Sequence, residues 1–289
     1  MAAREEFAAA SNWMNRRNAL KHFAEFEGPT QGQEHIRPLH EYVTSRLVLE
    51  GGFQPEELTP RPPLRVEMIG NIHEIVYDPD EATRSEATIL GGLKTKNVDI
   101  VVTKEGIGPV LAISCKGMTG AVRNLTNRLE ETIGECTNIH IGYPALVFGY
   151  LFVIRANQEA EGIARTDAAI DESGQPVDAI IRFHHALSAM SGRSGIRDDP
   201  SGYESIAMAM VEVQSGRSGS LVSEFPPGDS PIHFNRFFDT LYRRYDERFV
   251  VSAPQLARST RRREWSVDFA EEKPNLFKAV DYSIRTKNP

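Results

Sequence analysis

The fold is decided by the stretch Asn97–Lys116, which reads NVDIVVTKEGIGPVLAISCK. Asn97–Thr103 is rich in β-branched residues and predicts a strand. Val110–Lys116 predicts a second strand, and the glycine- and proline-containing segment between the two predicts a turn. We therefore expect a β-hairpin with a loop of several residues at this point of the chain.

Polar residues interrupt both strands of this hairpin. Side chains alternate along a strand, so Ser114 and Lys116 should share one face while Ile113 and Cys115 point into the core on the other. Asp99 lies within an otherwise apolar strand, and Lys116 ends the next one. An ammonium group in such a place needs a partner or solvent. Asp99 and Lys116 could form a plain salt bridge, or a metal ligand and a lysine that orients a water molecule.

Outward from the hairpin, the pattern alternates between helix and strand. Ala121–Glu135 predicts a helix whose apolar stripe is Val122, Leu125, Leu129 and Ile133. The continuous apolar run Leu146–Ala156 predicts a strand buried on both faces. The remaining predicted elements are β-type alternation over Arg65–Asp78, helix over Val177–Met190, strand over Tyr203–Gln214 and helix over His233–Phe249. This order predicts an α/β fold with a central mixed sheet flanked by helices.

The N-terminal part has a different character. Residues 1–27 predict a helix, and His35–Leu49 predicts a second that ends at Gly51-Gly52. The proline-rich run Thr59–Pro63 follows as an extended linker. We place a division here, between a helical N-terminal arm (1–58) and a main body (59–289).

Length and composition exclude several classes of protein. The chain has 289 residues, 33 Lys and Arg against 40 Asp and Glu, a net charge of −7 and two cysteines. Two cysteines cannot form a disulfide framework or a four-cysteine zinc site. The apolar run Tyr143–Ile154 is far shorter than the roughly 20 residues of a membrane helix. We expect a cytoplasmic, reducing environment, and an acidic protein that does not coat nucleic acid indiscriminately, although a local basic cleft is compatible with this charge.

Several familiar motifs are absent or weak. The sequence has no phosphate-binding P-loop, dinucleotide-binding glycine motif, HExxH or GxSxG. His184 and His185 are adjacent on a predicted helix and point about 100° apart, which predicts one surface and one packed histidine. Ser191–Gly195 and Ser215–Gly219 both read SGRSG and predict flexible loops, with a phosphate-contacting loop as the alternative.

The hairpin resembles that of the PD-(D/E)xK nuclease superfamily, which includes many type II restriction endonucleases. The resemblance places Asp99 at the first metal-binding position and Lys116 at the position that assists the attacking water. Ser114 stands where the superfamily has Asp or Glu, and Val98 stands where Pro is typical. One group of restriction enzymes that cuts around CCGG cores carries Ser-x-Lys, and Ser114-Cys115-Lys116 is similar to one of its variants.

In that group the replaced carboxylate comes from a glutamate on the following helix, and Glu130 and Glu131 lie at the corresponding place. Glu130 flanks the predicted apolar stripe, whereas Glu131 faces solvent, so Glu130 is favoured. The candidate catalytic residues are therefore Asp99, Ser114, Lys116 and Glu130, and the candidate metal-binding residues are Asp99, Glu130 and Cys115. As a side chain, Cys115 is otherwise typical of an inert buried thiol. The alternatives left open are Asp80, in a Pro-Asp pair, and Glu41 as a helper.

The resemblance implies a Mg²⁺-dependent endonuclease that hydrolyses double-stranded DNA, most simply as a homodimeric restriction enzyme acting on a palindrome. Cationic residues should rim the cleft. The candidates for DNA binding are Lys94, Lys96, Arg123 and Arg128, with Arg258–Arg263 in the tail. A nuclease of the same fold in repair, junction processing or defence is one alternative. A non-enzymatic DNA-binding or interaction protein on a decayed nuclease fold is another, and Ser114 favours it.

Overall fold

The computed structural model describes residues 14–70, 72–120, 122–159, 163–266 and 280–286, and a five-stranded mixed sheet forms its centre. The strands are β1 (Leu58–Thr59), β2 (Leu64–Ile69), β3 (Ile72–Tyr77), β4 (Ala87–Leu90), β5 (Thr95–Val98), β6 (Ile100–Lys104), β7 (Gly108–Met118), β8 (Val147–Arg155) and β9 (Ser205–Val211). The helices are α1 (Arg16–Glu25), α2 (Arg37–Leu49), α3 (Leu125–Gly142), α4 (Asp178–Met190), α5 (Phe237–Asp246) and α6 (Ala257–Thr260), and a π-helical segment, Glu247–Val251, continues α5.

The central sheet has the order β1-β6-β7-β8-β9. Strands β1, β6 and β7 pair antiparallel, whereas β7, β8 and β9 pair parallel. The parallel neighbours require crossovers, which α3 provides between β7 and β8 and α4 between β8 and β9. The predicted α/β class and the mixed sheet flanked by helices are confirmed.

The predicted hairpin is present as β6 and β7, with Ile100 opposite Ile113. The strand predicted over Asn97–Thr103 is interrupted at Asp99, because β5 ends at Val98 and pairs with β4 in a separate two-stranded sheet. The Asp99 side chain accepts the backbone N–H of Cys115 and so takes the place of a ladder hydrogen bond at this break. The chain therefore passes from one sheet to the other at Asp99.

Helices cover both faces of the sheet. On one face α1, α2 and α5 pack on the strands, and on the other α3 and α4 do so. Strand β8 alternates between the two layers, with Leu151 in the first and Phe152 in the second, and it is buried on both faces as predicted.

The helical N-terminal segment packs into the main core. Leu20 of α1 and Val43 of α2 belong to the same apolar cluster as Leu151. Residues 1–13 of the predicted first helix lie outside the described residues. The division between 1–58 and 59–289 stays a prediction.

Helix α3 is rotated relative to the sequence pattern. Its buried face comprises Leu125, Thr132, Cys136 and Ile139, whereas Ile133 is 40% exposed. The predicted stripe was wrong at Ile133 because it counted large apolar residues and omitted the small buried side chains of Thr132 and Cys136. This rotation decides which glutamate of the helix faces the sheet.

Candidate active site

Asp99 is buried where β5 passes into β6, and three nitrogen donors bind its carboxylate. Its Oδ2 accepts from the Lys116 ammonium at 2.8 Å and from the Cys115 backbone N–H at 2.8 Å. Its Oδ1 accepts from the side-chain amide of Gln33 at 3.1 Å. The predicted pairing of Asp99 with Lys116 across the hairpin is thus present as a direct ion pair.

Ser114 joins Asp99 to a second carboxylate, that of Glu135 on α3. The Ser114 hydroxyl lies 3.0 Å from Glu135 Oε2 and 3.3 Å from Asp99 Oδ2. A serine hydroxyl has one proton, so it can donate to only one of these two acceptors at a time. The two buried carboxylates therefore converge on one donor and need further positive charge nearby.

Two lysines supply positive charge to this cluster. Lys116 contacts Asp99 directly, and Lys96 of β5 lies 3.6 Å from Glu135 Oε1. Glu135 Oε1 is buried and accepts no hydrogen bond from the described residues. Glu135 Oε1 thus has the positive charge of Lys96 nearby but accepts no hydrogen bond from a described residue.

A cavity of about 170 Å³ lies on the other side of Asp99. Gln33 and Glu86 line it, and the Gln33 side-chain nitrogen contacts both Asp99 and the Glu86 carboxylate. His40 also lines the cavity, and its buried Nε2 has no hydrogen-bond partner among the described residues. Glu41, the alternative helper, lines the same cavity.

The ionisation of the Asp99–Lys116 pair follows from burial and mutual attraction. Burial alone would raise the pKa of Asp99, but Lys116, His40 and the Cys115 N–H outweigh it and hold the pKa below its ordinary value. Burial would likewise lower the pKa of Lys116, but Asp99 and Glu135 reverse this and raise it. The pair is therefore carboxylate and ammonium at neutral pH, and Lys116 can donate hydrogen bonds but cannot accept a proton.

Glu130 does not lie at this site. It lies about 140° round the helix from Leu125, counting roughly 100° per residue, and it is exposed. Glu135 lies about 80° from Leu125 and flanks the buried face. Glu131 is exposed and pairs with Arg128 at 2.6 Å. The expectation that Glu130 reaches the sheet is corrected to Glu135, because the packed face of α3 is centred on Leu125 and Cys136.

Cys115 reaches the site only through its backbone. Its side chain lies in the apolar layer on the opposite face of the sheet, fully buried. Burial raises the pKa of the thiol well above its ordinary value. The structure does not bring the Cys115 sulfur to Asp99 and Glu135, and the metal-binding role of Cys115 stays a prediction that this placement does not support.

The candidate DNA-binding residues lie in different places. Lys94 is exposed, Lys96 borders the Asp99–Glu135 cluster, and Arg128 is engaged by Glu131. The side chain of Arg123 lies outside the described part. In the basic tail, Arg262 pairs with Asp246 at 2.7 Å, whereas Arg258 and Arg261 are exposed.

The remaining candidates are placed as follows. Asp80 is exposed in a short 3₁₀ turn, Pro79–Glu81. His184 is buried and bonds Ser230 Oγ at 2.8 Å, and His185 is exposed, as predicted. In the first SGRSG segment, Arg193 is buried against the Glu204 carboxylate at 2.6 Å, so it has a structural partner.

Sequence reasoning missed Glu135, Glu86, Gln33 and His40. Glu135 could have been found by centring the helix on Cys136, but Gln33 lies 66 residues from Asp99 along the chain and carries no motif. Among the residues the structure describes, no three His, Cys, Asp or Glu side chains form a group that could hold a metal ion.

The comparisons with known proteins give no relative. No family model, curated protein or solved structure matches the chain. Within the described ranges, no helix has the length and apolar character needed to cross a membrane.

Proposed function

We propose that this chain is a divalent-metal-dependent endonuclease that hydrolyses double-stranded DNA, of the restriction type found in the PD-(D/E)xK superfamily. The observation that carries the proposal is the convergence of the Asp99 and Glu135 carboxylates on the Ser114 hydroxyl, with the Lys116 ammonium bound to Asp99. Asp99 immediately precedes β6, Ser114 and Lys116 lie on the adjacent antiparallel strand β7, and Glu135 lies on the following helix α3. Glu135 then supplies the carboxylate that the strand lacks at Ser114.

The donor atoms fit Mg²⁺. Mg²⁺ takes carboxylate oxygens and retains waters, so one or two carboxylates are a usual protein contribution. Asp99 and Glu135 would hold it, and the buried Glu135 Oε1, to which none of the described residues donates a hydrogen bond, is an oxygen available for this purpose. When bound, the metal supplies an activated water and positive charge at the scissile phosphate.

The protein groups around Asp99 have distinct tasks in this proposal. Lys116 keeps its proton, fixes Asp99 Oδ2 and presents an ammonium to the nucleophile or phosphate. Ser114 lies between Asp99 and Glu135 and donates its hydroxyl proton to one of the two carboxylates at a time. Gln33 fixes Asp99 Oδ1 from the cavity side. Homodimer formation and a cytoplasmic location remain predictions attached to this function.

The test is cleavage of supercoiled plasmid DNA with Mg²⁺, for wild type and Asp99→Asn. Wild type should convert the plasmid to discrete fragments, and EDTA should stop the reaction. Asp99→Asn should lose at least about 100-fold in rate, because a missing ligand weakens metal affinity and water activation. Asp80→Asn is the matched control, since that carboxylate is exposed, and it should cleave normally. Normal cleavage by Asp99→Asn would refute the assignment.

The second candidate is a DNA-binding protein without catalysis on the same fold. Both Asp99 oxygens already accept hydrogen bonds from protein donors, and no three-residue metal-binding group exists among the described side chains. DNA binding that persists in Mg²⁺ or Mn²⁺ with no strand cleavage, by wild type and Asp99→Asn alike, would favour this candidate over the endonuclease.

A further inference from the structure

A two-stranded hairpin beside the candidate site exposes large apolar side chains at its tip. Strands β4 and β5 are joined by a loop of four residues, Gly91–Lys94. Leu90 is 67% exposed and Leu93 75% exposed, and Ile141 of α3 next to them is 48% exposed. We call these three residues the tip patch. Large apolar side chains grouped in this way favour a binding surface over bare solvent contact.

The tip is fastened to α3. Asn138 Oδ1 accepts the backbone N–H groups of Leu93 at 2.9 Å and Lys94 at 3.0 Å, and its Nδ2 donates to the Lys94 carbonyl at 3.0 Å. The N–H of Gly92 donates to the Asn138 carbonyl at 2.8 Å. A Cβ at Gly92 would lie 2.0 Å from Ile141 Cγ2, so only glycine permits this approach. Hydrogen bonds to Asn138 thus hold the loop that carries Leu93 in a fixed position on α3.

The positive charge around the tip patch favours a negatively charged partner. The hairpin segment 87–98 contains Lys94 and Lys96 and no acidic residue, although the whole chain carries a net charge of −7. Lys94 is exposed, and Lys96 is partly exposed. An apolar tip flanked by cations matches duplex DNA, which has phosphates outside and an apolar base stack inside.

A second hairpin in the same chain provides the contrast. The tip of β2 and β3 also exposes apolar side chains, with Met68 at 60% and Ile69 at 55%. Its strands carry Glu67 and Glu74 against one cation, Arg65, which pairs with Glu67, so the charged side chains of this hairpin have a net negative charge. Repulsion from phosphate should keep that tip off DNA, so exposure of apolar residues alone does not distinguish the two hairpins, but charge does.

The tip is also fixed relative to the candidate site. Asn138, which braces the tip, follows Glu135 by three residues on α3, so the two lie close on the same helix. Lys96 of the hairpin lies 3.6 Å from Glu135. DNA that contacts Lys94 and Leu93 would therefore pass beside the Asp99–Glu135 cluster.

We infer that the tip patch is a DNA-docking wedge, in which Leu93 inserts between base pairs while Lys94 contacts the phosphate backbone. Side chains such as leucine partly unstack a base step and kink the duplex when they insert. This inference rests on the proposed function, since it assumes that double-stranded DNA is the substrate. It assigns to the hairpin the task of bending the substrate next to the site of cleavage.

The test measures binding of nicked plasmid DNA by filter retention, at several salt concentrations, in the Asp99→Asn background. Adding Leu93→Gln should weaken binding by about tenfold with an unchanged salt dependence, because an apolar anchor releases no counterion. Adding Lys94→Ala should reduce the salt slope by about one. Met68→Gln, on the other hairpin, should bind as the Asp99→Asn parent does.

A second measurement tests insertion itself. Nicked plasmid closed by ligase in the presence of the Asp99→Asn protein should show a changed linking number, and Leu93→Gln should abolish the change. Leu93→Gln and Leu93→Ala are both surface changes, and their thermal unfolding should match the parent.

The outcomes separate the two proposals. Binding and linking number unaltered by Leu93→Gln would overturn the wedge and leave the endonuclease proposal intact. DNA binding that depends on Leu93 in a protein that never cleaves would support the wedge and refute the endonuclease proposal. If Leu93→Gln instead converts a dimer to a monomer in sedimentation without altering DNA binding, the tip patch contacts a second copy of the chain and the wedge is refuted. Absence of DNA binding by wild type would refute both proposals.

Discussion

The Gln33 side-chain amide donates to Asp99 Oδ1 at 3.1 Å, and the Gln33 backbone has a left-handed conformation that residues other than glycine rarely adopt. Gln33 has φ of 61°, and it is the one non-glycine residue with positive φ in the described part of the chain. Its nitrogen also contacts Glu86, so one amide joins two carboxylates across the cavity. Left-handed conformations cost L-residues roughly 1–2 kcal/mol, and strain of this kind often accompanies functional sites.

Comparing Gln33→Gly with Gln33→Ala measures this strain. Both variants lose the amide that binds Asp99 and Glu86, but only glycine adopts the left-handed conformation freely. Gln33→Gly should therefore be more stable than Gln33→Ala by about 1 kcal/mol in the free energy of unfolding. Equilibrium urea unfolding checks this, and equal stability of the two variants would show that residue 33 is not held in that conformation in solution.

The Asp99–Lys116 pair predicts a specific pH dependence of stability. The pKa of Asp99 is lowered in the folded state, so its contribution is fully present above its unfolded pKa of about 3.9 and is lost as pH falls through the lowered folded value. The pKa of Lys116 is raised, so its contribution is fully present below about 10.4 and is lost only at higher pH.

Thermal unfolding of wild type and Asp99→Asn between pH 2 and pH 9 tests the pair. The stability difference between them should be constant from about pH 5 to pH 9 and should shrink below about pH 4. Asp80→Asn, at an exposed position, should follow wild type over the whole range. A difference that instead disappears near pH 7 would show that Asp99 titrates close to neutrality and is not held by Lys116.

The two SGRSG segments should respond very differently to loss of their arginine. Glu204 is fully buried, and its carboxylate accepts from Arg193 at 2.6 Å and from Arg248 at 2.6 Å. Arg193→Met should cost about 3 kcal/mol in the free energy of unfolding, because it leaves a buried charge with reduced compensation. Arg217→Met, in the second segment, should cost at most about 1 kcal/mol, because Arg217 is exposed although it contacts Glu212. Urea unfolding of the two variants decides, and equal losses would contradict the structural role of Arg193.

Neither cysteine thiol should react with a thiol reagent in the folded protein. Burial raises the pKa of Cys115 and Cys136 well above the ordinary value, and neither forms a disulfide. A thiol reagent such as Ellman's reagent should therefore titrate neither cysteine at pH 8 until denaturant is added. Rapid reaction of one thiol in native wild type that is lost in the Cys115→Ala variant would show that the core around Cys115 opens.

Local pattern predicted most of the sheet and part of the site. The β6–β7 hairpin and the buried strand β8 follow from short-range alternation and apolar runs, and strand alternation placed Ser114 and Lys116 on one face with Cys115 on the other. The direct contact of Asp99 with Lys116 follows from the same hairpin, since the two strands are adjacent.

The groups that complete the site could not be predicted in the same way. Helix α3 begins at Leu125 after a 3₁₀ turn, Val122–Asn124, and small buried residues define its inner face. The sequence pattern, which counts large apolar residues, therefore favours Glu130 over Glu131 and does not indicate Glu135. Gln33 reaches both Asp99 and Glu86 only because the segment that precedes α2 packs against the loop before β4 and the start of β6. Contacts between residues so far apart in sequence leave no periodic signal.

Glu135 and Glu130 form the sharpest matched pair for the endonuclease proposal. They lie on the same helix, but Glu135 is buried with Oε2 3.0 Å from Ser114 Oγ, and Glu130 is exposed. Glu135→Gln should lose about 100-fold or more in plasmid cleavage and should weaken Mn²⁺ binding measured by calorimetry, because it removes one of two carboxylates available to the metal. Glu130→Gln should match wild type in both measurements.

The glutamine variants keep the size of the side chain, so thermal unfolding should show both to be folded. Glu135→Gln also loses the charge that Lys96 balances, and Lys96→Met separates this effect: if Glu135 acts through the metal, Lys96→Met should retain Mn²⁺ binding while Glu135→Gln does not. The reverse result, with Glu130→Gln inactive and Glu135→Gln active, would mean that α3 turns a different face to the sheet when DNA and metal are bound. Full activity in both variants would show that cleavage needs neither glutamate. In that case no carboxylate of α3 replaces the one that the superfamily carries at the position of Ser114.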